Sequence, residues 1–336
     1  MSLLGSGIVP SGAVGNELTA VTRRSFIPRL IVQFGNATPT LSAALSNAQM
    51  CSGGVSSVTV PVQGAAITTA QATDYSGAFN APSNQTGIGN AEYNLKAIIV
   101  PIPFLGMEGI LQLDAAVIPL IEARMNDAGN SLKDYANTYM LTNDTDQTIN
   151  LDGLPPMAAA TGTYGNVSKT SNAYWRGRVI TNSPAVDPTR ARMLQYYLAA
   201  TEQNLGEAPN MAVMGIGTWG KLSQDFQSIE QFRNTPDNQF ASSTQGPATG
   251  FIALMVGMCP IYVDMGVPEG ACYFFNTKYL SFYIHEAAAF AFTGFASTLP
   301  NFTLGYIGAL VAVMEFICVR PRSITRVTGL TSLTLT

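Results

Sequence analysis

Charged side chains are so scarce in this sequence that their scarcity limits what the chain can fold into more than any motif does. Only 11% of its 336 residues are Asp, Glu, Lys or Arg, against roughly 25% in an ordinary soluble domain. A soluble monomer relies on charge to keep its surface hydrated and self-repelling. A chain with less than half the usual complement either lies in a membrane or hides much of its surface against neighbours. The membrane alternative fails on length. The longest apolar stretch, Leu304 to Val319, is interrupted by Glu315 and falls short of the about 20 residues a spanning helix needs. Met1 to Gly15 has no basic region followed by an apolar run, so no signal peptide is expected. Burial of subunit surface in a large assembly is the reading that remains. With 47% apolar residues a sizeable core is available and global disorder is excluded.

Cys51, Cys259, Cys272 and Cys318 lie far apart with no paired spacing, which fits neither a disulfide framework nor a zinc site. They read as buried free thiols. A net charge of −4 without a basic tail argues against tight nucleic-acid binding.

Along the chain, residues 1–50 are rich in Gly, Ser, Ala and Asn, with one apolar piece from Phe26 to Val32. Such a segment needs a surface to lie on. Val58, Val60 and Val62 alternate, as do Tyr93, Leu95, Ala97 and Ile99, each at the period of a strand. Between Gln63 and Ala91 the chain is polar and small, with Asp74 as its single charge. This predicts a long two-stranded ribbon, marginal alone. A helix is expected over 107–141, with Ile110, Leu113, Val117, Leu120, Ile121 and Leu132 on one stripe and Pro119 as a kink or break. Asp187-Pro188 opens a second helix, with Leu194, Leu198, Thr201 and Leu205 as the inner face and Gly206 as the end. Short strands follow at 211–216, 251–256, 260–263, 271–275 and 279–285, around a helix at 218–232, and more strands run from Ala289 onward. The pattern is mixed α+β, without an internal repeat.

Two segments invite a catalytic reading. Gly215-Ile216-Gly217-Thr218-Trp219-Gly220-Lys221 follows a strand and precedes a helix, as a nucleotide-binding loop does. Leu222, however, stands where a phosphate loop needs Ser or Thr for magnesium, and Trp219, Leu222 and Phe226 fall on one helical face directed at a core. A tight strand-to-helix turn is the plainer reading. His285 is the only histidine, which leaves no multi-histidine metal site, and no G-x-S-x-G elbow accompanies it. It reads as the end of a strand. No catalytic, cofactor-binding or metal-binding residue is assigned. The arginines Arg23, Arg24 and Arg29, Arg176 and Arg178, Arg190 and Arg192, and Arg320, Arg322 and Arg326 stand in small groups. They either pair between subunits with sparse carboxylates such as Glu108, Glu122 and Glu315, or simply solvate exposed turns.

In their order, these segments resemble the major capsid family of tailed bacteriophages of the Hong Kong 97 type, whose fold encapsulin shells share. Phe26-Ile27-Pro28-Arg29-Leu30 with Pro39 resembles the family's N-terminal arm. Gly53-Gly54 leading into Val58-Thr59-Val60-Pro61-Val62 and Thr69-Ala70-Gln71 resembles the start of its extended E-loop. The helix after Gly106 stands where the spine helix is placed, with Pro119 as a departure. Asp152-Gly153-Leu154, Tyr164-Gly165 and Tyr174-Trp175-Arg176-Gly177 resemble the stretch leaving the peripheral domain, and 211–232 the axial domain. Tyr279 through His285, Phe292-Thr293, Cys318-Val319-Arg320-Pro321-Arg322 and Thr328-Gly329-Leu330 resemble the returning strands.

The resemblance implies an arm at 1–50, an E-loop ribbon at 51–103, a peripheral domain at 104–185, an axial domain at 186–288 and return strands of the peripheral domain at 289–336. It implies a structural protein, not an enzyme, without cofactors. Its copies would form hexamers and pentamers of an icosahedral shell around phage double-stranded DNA, without sequence-specific binding and away from membranes. The shell would be assembled in the host cytoplasm and retained in the virion. Partners implied are a portal, a separate scaffolding protein (no long charged helical extension is visible at the N-terminus) and, in some cases, a decoration protein. Inter-subunit contacts are expected at Arg23, Arg24, Arg29, Val58, Val60, Val62, Asp74, Tyr75, Tyr93, Leu95, Arg176 and Arg178. The alternatives are an encapsulin-type cellular compartment and, from another class, a nucleotide-dependent enzyme using residues 215–221.

Overall fold

The computed structural model describes residues 38–54, 56–64, 88–105, 120–143, 149–230, 254–293, 296–297 and 305–334. The expected arm with Arg23, Arg24 and Arg29, the ribbon tip with Asp74 and Tyr75, and Pro119 with the first part of its helix all lie outside the described residues. Two compact units form. One takes Met1–Gly35, Ala97–Tyr135 and Ala287–Val313, and the other Asn36–Lys96, Ala136–Glu286 and Met314–Thr336.

The first unit is built around the strand Gly305–Cys318, whose N-terminal part runs antiparallel to two short strands. Ala291 faces Val311, and Ala296 faces Ile307. The strand Lys96–Leu105 also pairs with it. Here the expected alternation breaks. Tyr93 is buried, but Leu95 separates two strands, and after it the phase reverses. Ile98 and Ile102 point inward, and Ile99 is 59% exposed. A non-strand residue between two strands shifts every following side chain to the other face.

In the second unit a six-stranded sheet runs in the order Arg178–Val186, Thr325–Leu330, Cys272–Phe275, Met211–Met214, Cys259–Val263, Leu254–Val256. The first pair and the pair 211–214 with 259–263 are parallel; the other neighbours are antiparallel. Residues 289–336 thus divide between two sheets. The helices Arg190–Gln203 and Ile216–Glu230 cover one face of this sheet. Met193, Tyr196, Tyr197, Ala200 and Leu222 from the helices close over Ala212, Met214, Ile261, Phe274 and Val327. Gln49–Cys51 runs parallel to Leu280–His285, which runs antiparallel to the end of Gly305–Cys318.

The helix at 190–203 corrects two expectations. Thr189, not Asp187, caps it: its hydroxyl accepts from the Arg192 N–H. Its buried face is Met193, Tyr196, Tyr197 and Ala200, and the expected inner leucines Leu194, Leu198 and Leu205 are exposed. Two apolar stripes compete on this helix. The stripe with two tyrosines and a methionine buries more surface, so it wins the core. The long helix Leu120–Thr142 buries Leu132 as expected, together with Ala128, Ala136, Met140 and Leu141. No helix of the described residues is long and apolar enough to cross a membrane.

Candidate functional site

The glycine-rich turn before helix Ile216–Glu230 is already occupied by the protein itself. The carboxylate of Glu269 accepts from the Gly217 and Thr218 N–H groups at 2.9 and 3.0 Å and from the Thr218 hydroxyl at 3.1 Å. These donors are the ones a phosphate would use, at the positive end of the helix. A Cβ at Gly217 would stand 2.7 Å from the Leu333 carbonyl and 2.9 Å from a Glu269 oxygen. Glycine therefore serves to admit the chain's own carboxylate and the segment that follows its last strand. Lys221 points outward, 4.0 Å from Asp187. Leu222 is fully buried, and Trp219 and Phe226 pack on the same core, so this turn ties a helix to its sheet and leaves no room for a nucleotide phosphate. His285 ends its strand, with Nε2 2.8 Å from the Gly53 carbonyl.

The base of the ribbon is well defined. Ser57–Gln63 pairs antiparallel with Ile88–Asn94, with Val58 opposite Tyr93, Val60 opposite Ala91 and Val62 opposite Gly89. Opposite residues share a face, so the three valines, half-buried, line up with buried Ala91 and Tyr93. Tyr93 rests on Tyr164 of its own chain at a ring distance of 5.2 Å, and Tyr164 stacks on Trp175. The Glu92 N–H donates to the Gly165 carbonyl at 2.9 Å. Tyr93 is thus fastened inside the subunit, and Leu95 lies just after it as the half-buried link to the next strand.

Beside this base lies a buried charge cluster that the sequence reading missed. Lys96 Nζ sits 2.7 Å from Asp152 Oδ1 and 2.7 Å from Glu315 Oε2, with side chains 7, 8 and 0% exposed. The other Glu315 oxygen accepts from the Asp152 and Phe316 N–H groups. Glu315, expected as a partner between subunits, is therefore paired within its own chain. Burial, and next the Asp152 charge, push the Glu315 carboxyl up to about 8, against the pull of Lys96. Gly153 explains its place in Asp152-Gly153-Leu154: a Cβ there would stand 2.2 Å from the Asn143 carbonyl oxygen. A second buried cation, Lys169, donates to the carbonyls of Pro156, Met157 and Ala159 at 2.7, 2.6 and 2.9 Å. Burial pulls its ammonium down to about 7, yet three acceptors for three donors suit the protonated amine. It closes the end of the short helix Leu154–Ala158.

Most arginines of the described groups also work inside the chain. Arg320 donates to Glu207 and to the Tyr279 hydroxyl at 2.9 Å and reaches the Asn204 carbonyl; Arg322 donates to the Gln203 carbonyl. Arg178 donates to the Ala199 carbonyl and to Glu202, both at 3.0 Å. Three cations thus converge on the negative end of helix Arg190–Gln203. Arg176 donates to the Lys169 and Thr170 carbonyls. Burial raises the thiols of Cys259 and Cys318 to about 12, so both stay protonated and unreactive. Among the described residues, no three His, Cys, Asp or Glu side chains are grouped to hold a metal ion.

No protein-family profile matches the chain, and no curated protein matches it significantly. Solved structures do. The capsid subunit of cyanophage A-1(L) superposes with a TM-score of 0.69 at 14% identity, over 92% of this chain and 97% of that one. The capsid protein of Myoviridae phage XM1 gives 0.57 at 10% identity, over 90% and 95%. The encapsulin of Synechococcus elongatus gives 0.58 at 9% identity, over 96% and 98%. A mixed helix and strand subunit with a paired ribbon, matched over nine-tenths or more of its length by phage capsid and encapsulin subunits alike, has the Hong Kong 97-type capsid fold.

Proposed function

We infer that this chain is the major capsid protein of a tailed bacteriophage: a structural subunit whose copies tile a closed shell around double-stranded DNA. The likeness to the cyanophage capsid subunit carries the reading, because it spans 92% of this chain and 97% of that one. The cyanophage subunit scores 0.69 and the encapsulin 0.58, level with the 0.57 of the phage XM1 capsid protein. The charge content of 11% supports extensive burial between copies, since obligate interfaces cover on the order of 2,000–5,000 Å². A chain of net charge −4 suits a wall that must not adhere to packed DNA.

In this reading the copies stand in hexamers and pentamers in the virion, with a scaffolding protein, a portal and in some cases a decoration protein as partners. The arm with Arg23, Arg24 and Arg29 and the ribbon tip with Asp74 and Tyr75 reach neighbouring copies. Val58, Val60, Val62 and Leu95, half-buried at the ribbon base, also touch a neighbouring copy in this reading, while Tyr93 packs on Tyr164 of its own subunit. Sedimentation of the purified chain tests the assignment. Capsomers or shells are expected, and a well-behaved 35.6 kDa monomer at micromolar concentration would overturn it. Particles carrying a protein cargo in place of DNA would transfer the reading to an encapsulin.

A further inference from the structure

Lys96, Asp152 and Glu315 bring together an amine, a carboxyl that could receive it and a second carboxyl able to move protons. Lys96 opens the strand Lys96–Leu105 and Glu315 stands within Gly305–Cys318, so both side chains leave rigid backbone. The Asp152 N–H donates to Glu315 Oε1 at 2.9 Å, and the Phe316 N–H holds the same oxygen at 3.1 Å. Behind Asp152, Gly153 lies hard against the Asn143 and Tyr139 carbonyls, which leaves Asp152 no room to withdraw. With Nζ at 2.7 Å from Asp152 Oδ1, the carboxyl carbon stands roughly 3–4 Å away, close to the separation of atoms about to bond. Almost no water reaches the three side chains, and ion pairing that far from solvent returns little for the charges it buries. The Tyr93 and Tyr164 hydroxyls, which feel the Asp152 charge, are held protonated by burial and do not compete for protons.

We propose that the folded chain joins Lys96 Nζ to Asp152 Cγ in an amide bond within one subunit, with Glu315 as the proton carrier. The reaction occurs once per chain and has no outside substrate. Nζ passes one proton to Asp152 Oδ1, and the free amine attacks Cγ. Glu315 gives its proton to the departing hydroxyl and takes the second proton from the nitrogen, which Oε2 meets at 2.7 Å. The Cγ–O bond breaks, one water leaves, and Glu315 ends as it began. Burial keeps a proton on Glu315 near neutral pH, the state a general acid requires. An ammonium and a carboxylate disappear together, and the water-poor site disfavours the reverse hydrolysis. The bond ties the base of the ribbon to the segment before helix Leu154–Ala158. It does not depend on the shell reading. The ion-paired cluster is the chain before reaction.

Intact-mass spectrometry of the purified full chain, denatured just before injection, tests it. Most of the chain is expected to be lighter by one water, and its digest should contain a branched peptide linking Lys96 to Asp152. A parent chain at full mass, when circular dichroism shows it folded and after prolonged incubation, would overturn the proposal. So would a water loss without the branched peptide. Asp152-Gly153 can also lose water by closing a succinimide on its own backbone, and that loss would persist in Lys96→Arg, whereas the proposed bond cannot form there. Glu315→Gln should leave the chain at full mass, and a branched peptide formed as fast as in the parent would remove Glu315 from the reaction. Asp152→Asn with Glu315 intact should lose ammonia in place of water, since the amine then displaces an amide nitrogen from the same carbon. Should a variant misfold, the parent's mass and branched peptide decide. The same mass gives the share of a preparation that still carries the ion-paired cluster.

Discussion

The Lys96–Asp152–Glu315 cluster makes a prediction about pH that few other parts of the subunit can imitate. Two carboxylates share one ammonium, each at 2.7 Å, almost out of water. Fully ionised, the cluster holds a net negative charge in a poor dielectric, and one proton on a carboxyl neutralises it. Burial and then Asp152 raise Glu315 from an ordinary 4.5 to about 8, and burial shifts Asp152 in the same direction. Burial pulls Lys96 down, but the two carboxylates more than reverse it, so Lys96 keeps its proton throughout this range. A carboxyl whose folded value is raised contributes stability that is fully present below about pH 4.5 and is lost as the pH rises through 8. At about 1.4 kcal/mol per pH unit, the loss has a ceiling of about 5 kcal/mol. Glu315→Gln keeps the size of the side chain and removes the titration. The variant should differ little from the parent at pH 5, where Glu315 is neutral. It should gain on the parent by at least about 1.4 kcal/mol at pH 8. Lys96→Met, which leaves two buried carboxylates without a cation, should cost about 3–5 kcal/mol at pH 8 and less at pH 5. Urea unfolding followed by the fluorescence of buried Trp175, at both pH values and in one assembly state, measures all three. Parallel pH curves for parent and Glu315→Gln would show that the proton is not held there and would refute the reasoning.

Two further outcomes follow from the geometry. Trp219→Ala should cost about 2–4 kcal/mol, since the ring is partly buried on the core of helix Ile216–Glu230, while Lys221→Ala should leave unfolding and assembly unchanged; equal damage from both would give Lys221 a role the structure does not assign. Gly153→Ala should cost about 1–3 kcal/mol through overlap with the Asn143 carbonyl and should weaken the pH dependence by displacing Asp152, and a thermal midpoint equal to the parent's would contradict this.

Local patterns carried the base of the ribbon and much of the sheet. The alternation of Val58, Val60 and Val62 places them on one face, and they share it with Tyr93 and Ala91 through the observed register. The same alternation misled beyond Leu95, because a single residue outside the strands reversed the phase and turned Ile99 outward. On helix Arg190–Gln203 two stripes of similar hydrophobicity were legible, but only packing decides between them, and the tyrosines took the core. The charge cluster was illegible for another reason. Lys96 and Glu315 are brought together by distant strands, and neither sits in a local motif. Two signals were present: Glu315 inside the apolar stretch Leu304 to Val319, and a lysine directly before the apolar run from Ala97 to Val100, both places where an unpaired charge would be costly. The carboxylate that closes the glycine-rich turn, Glu269, lies some fifty residues from it, so sequence could question the nucleotide loop through Leu222 but not name its occupant.

Electron microscopy of the purified full chain tests the central claim most directly. The account predicts closed, hollow particles of uniform diameter, built of five- and six-membered rings. A field of dispersed single subunits, under conditions where the chain is folded by circular dichroism, would contradict it.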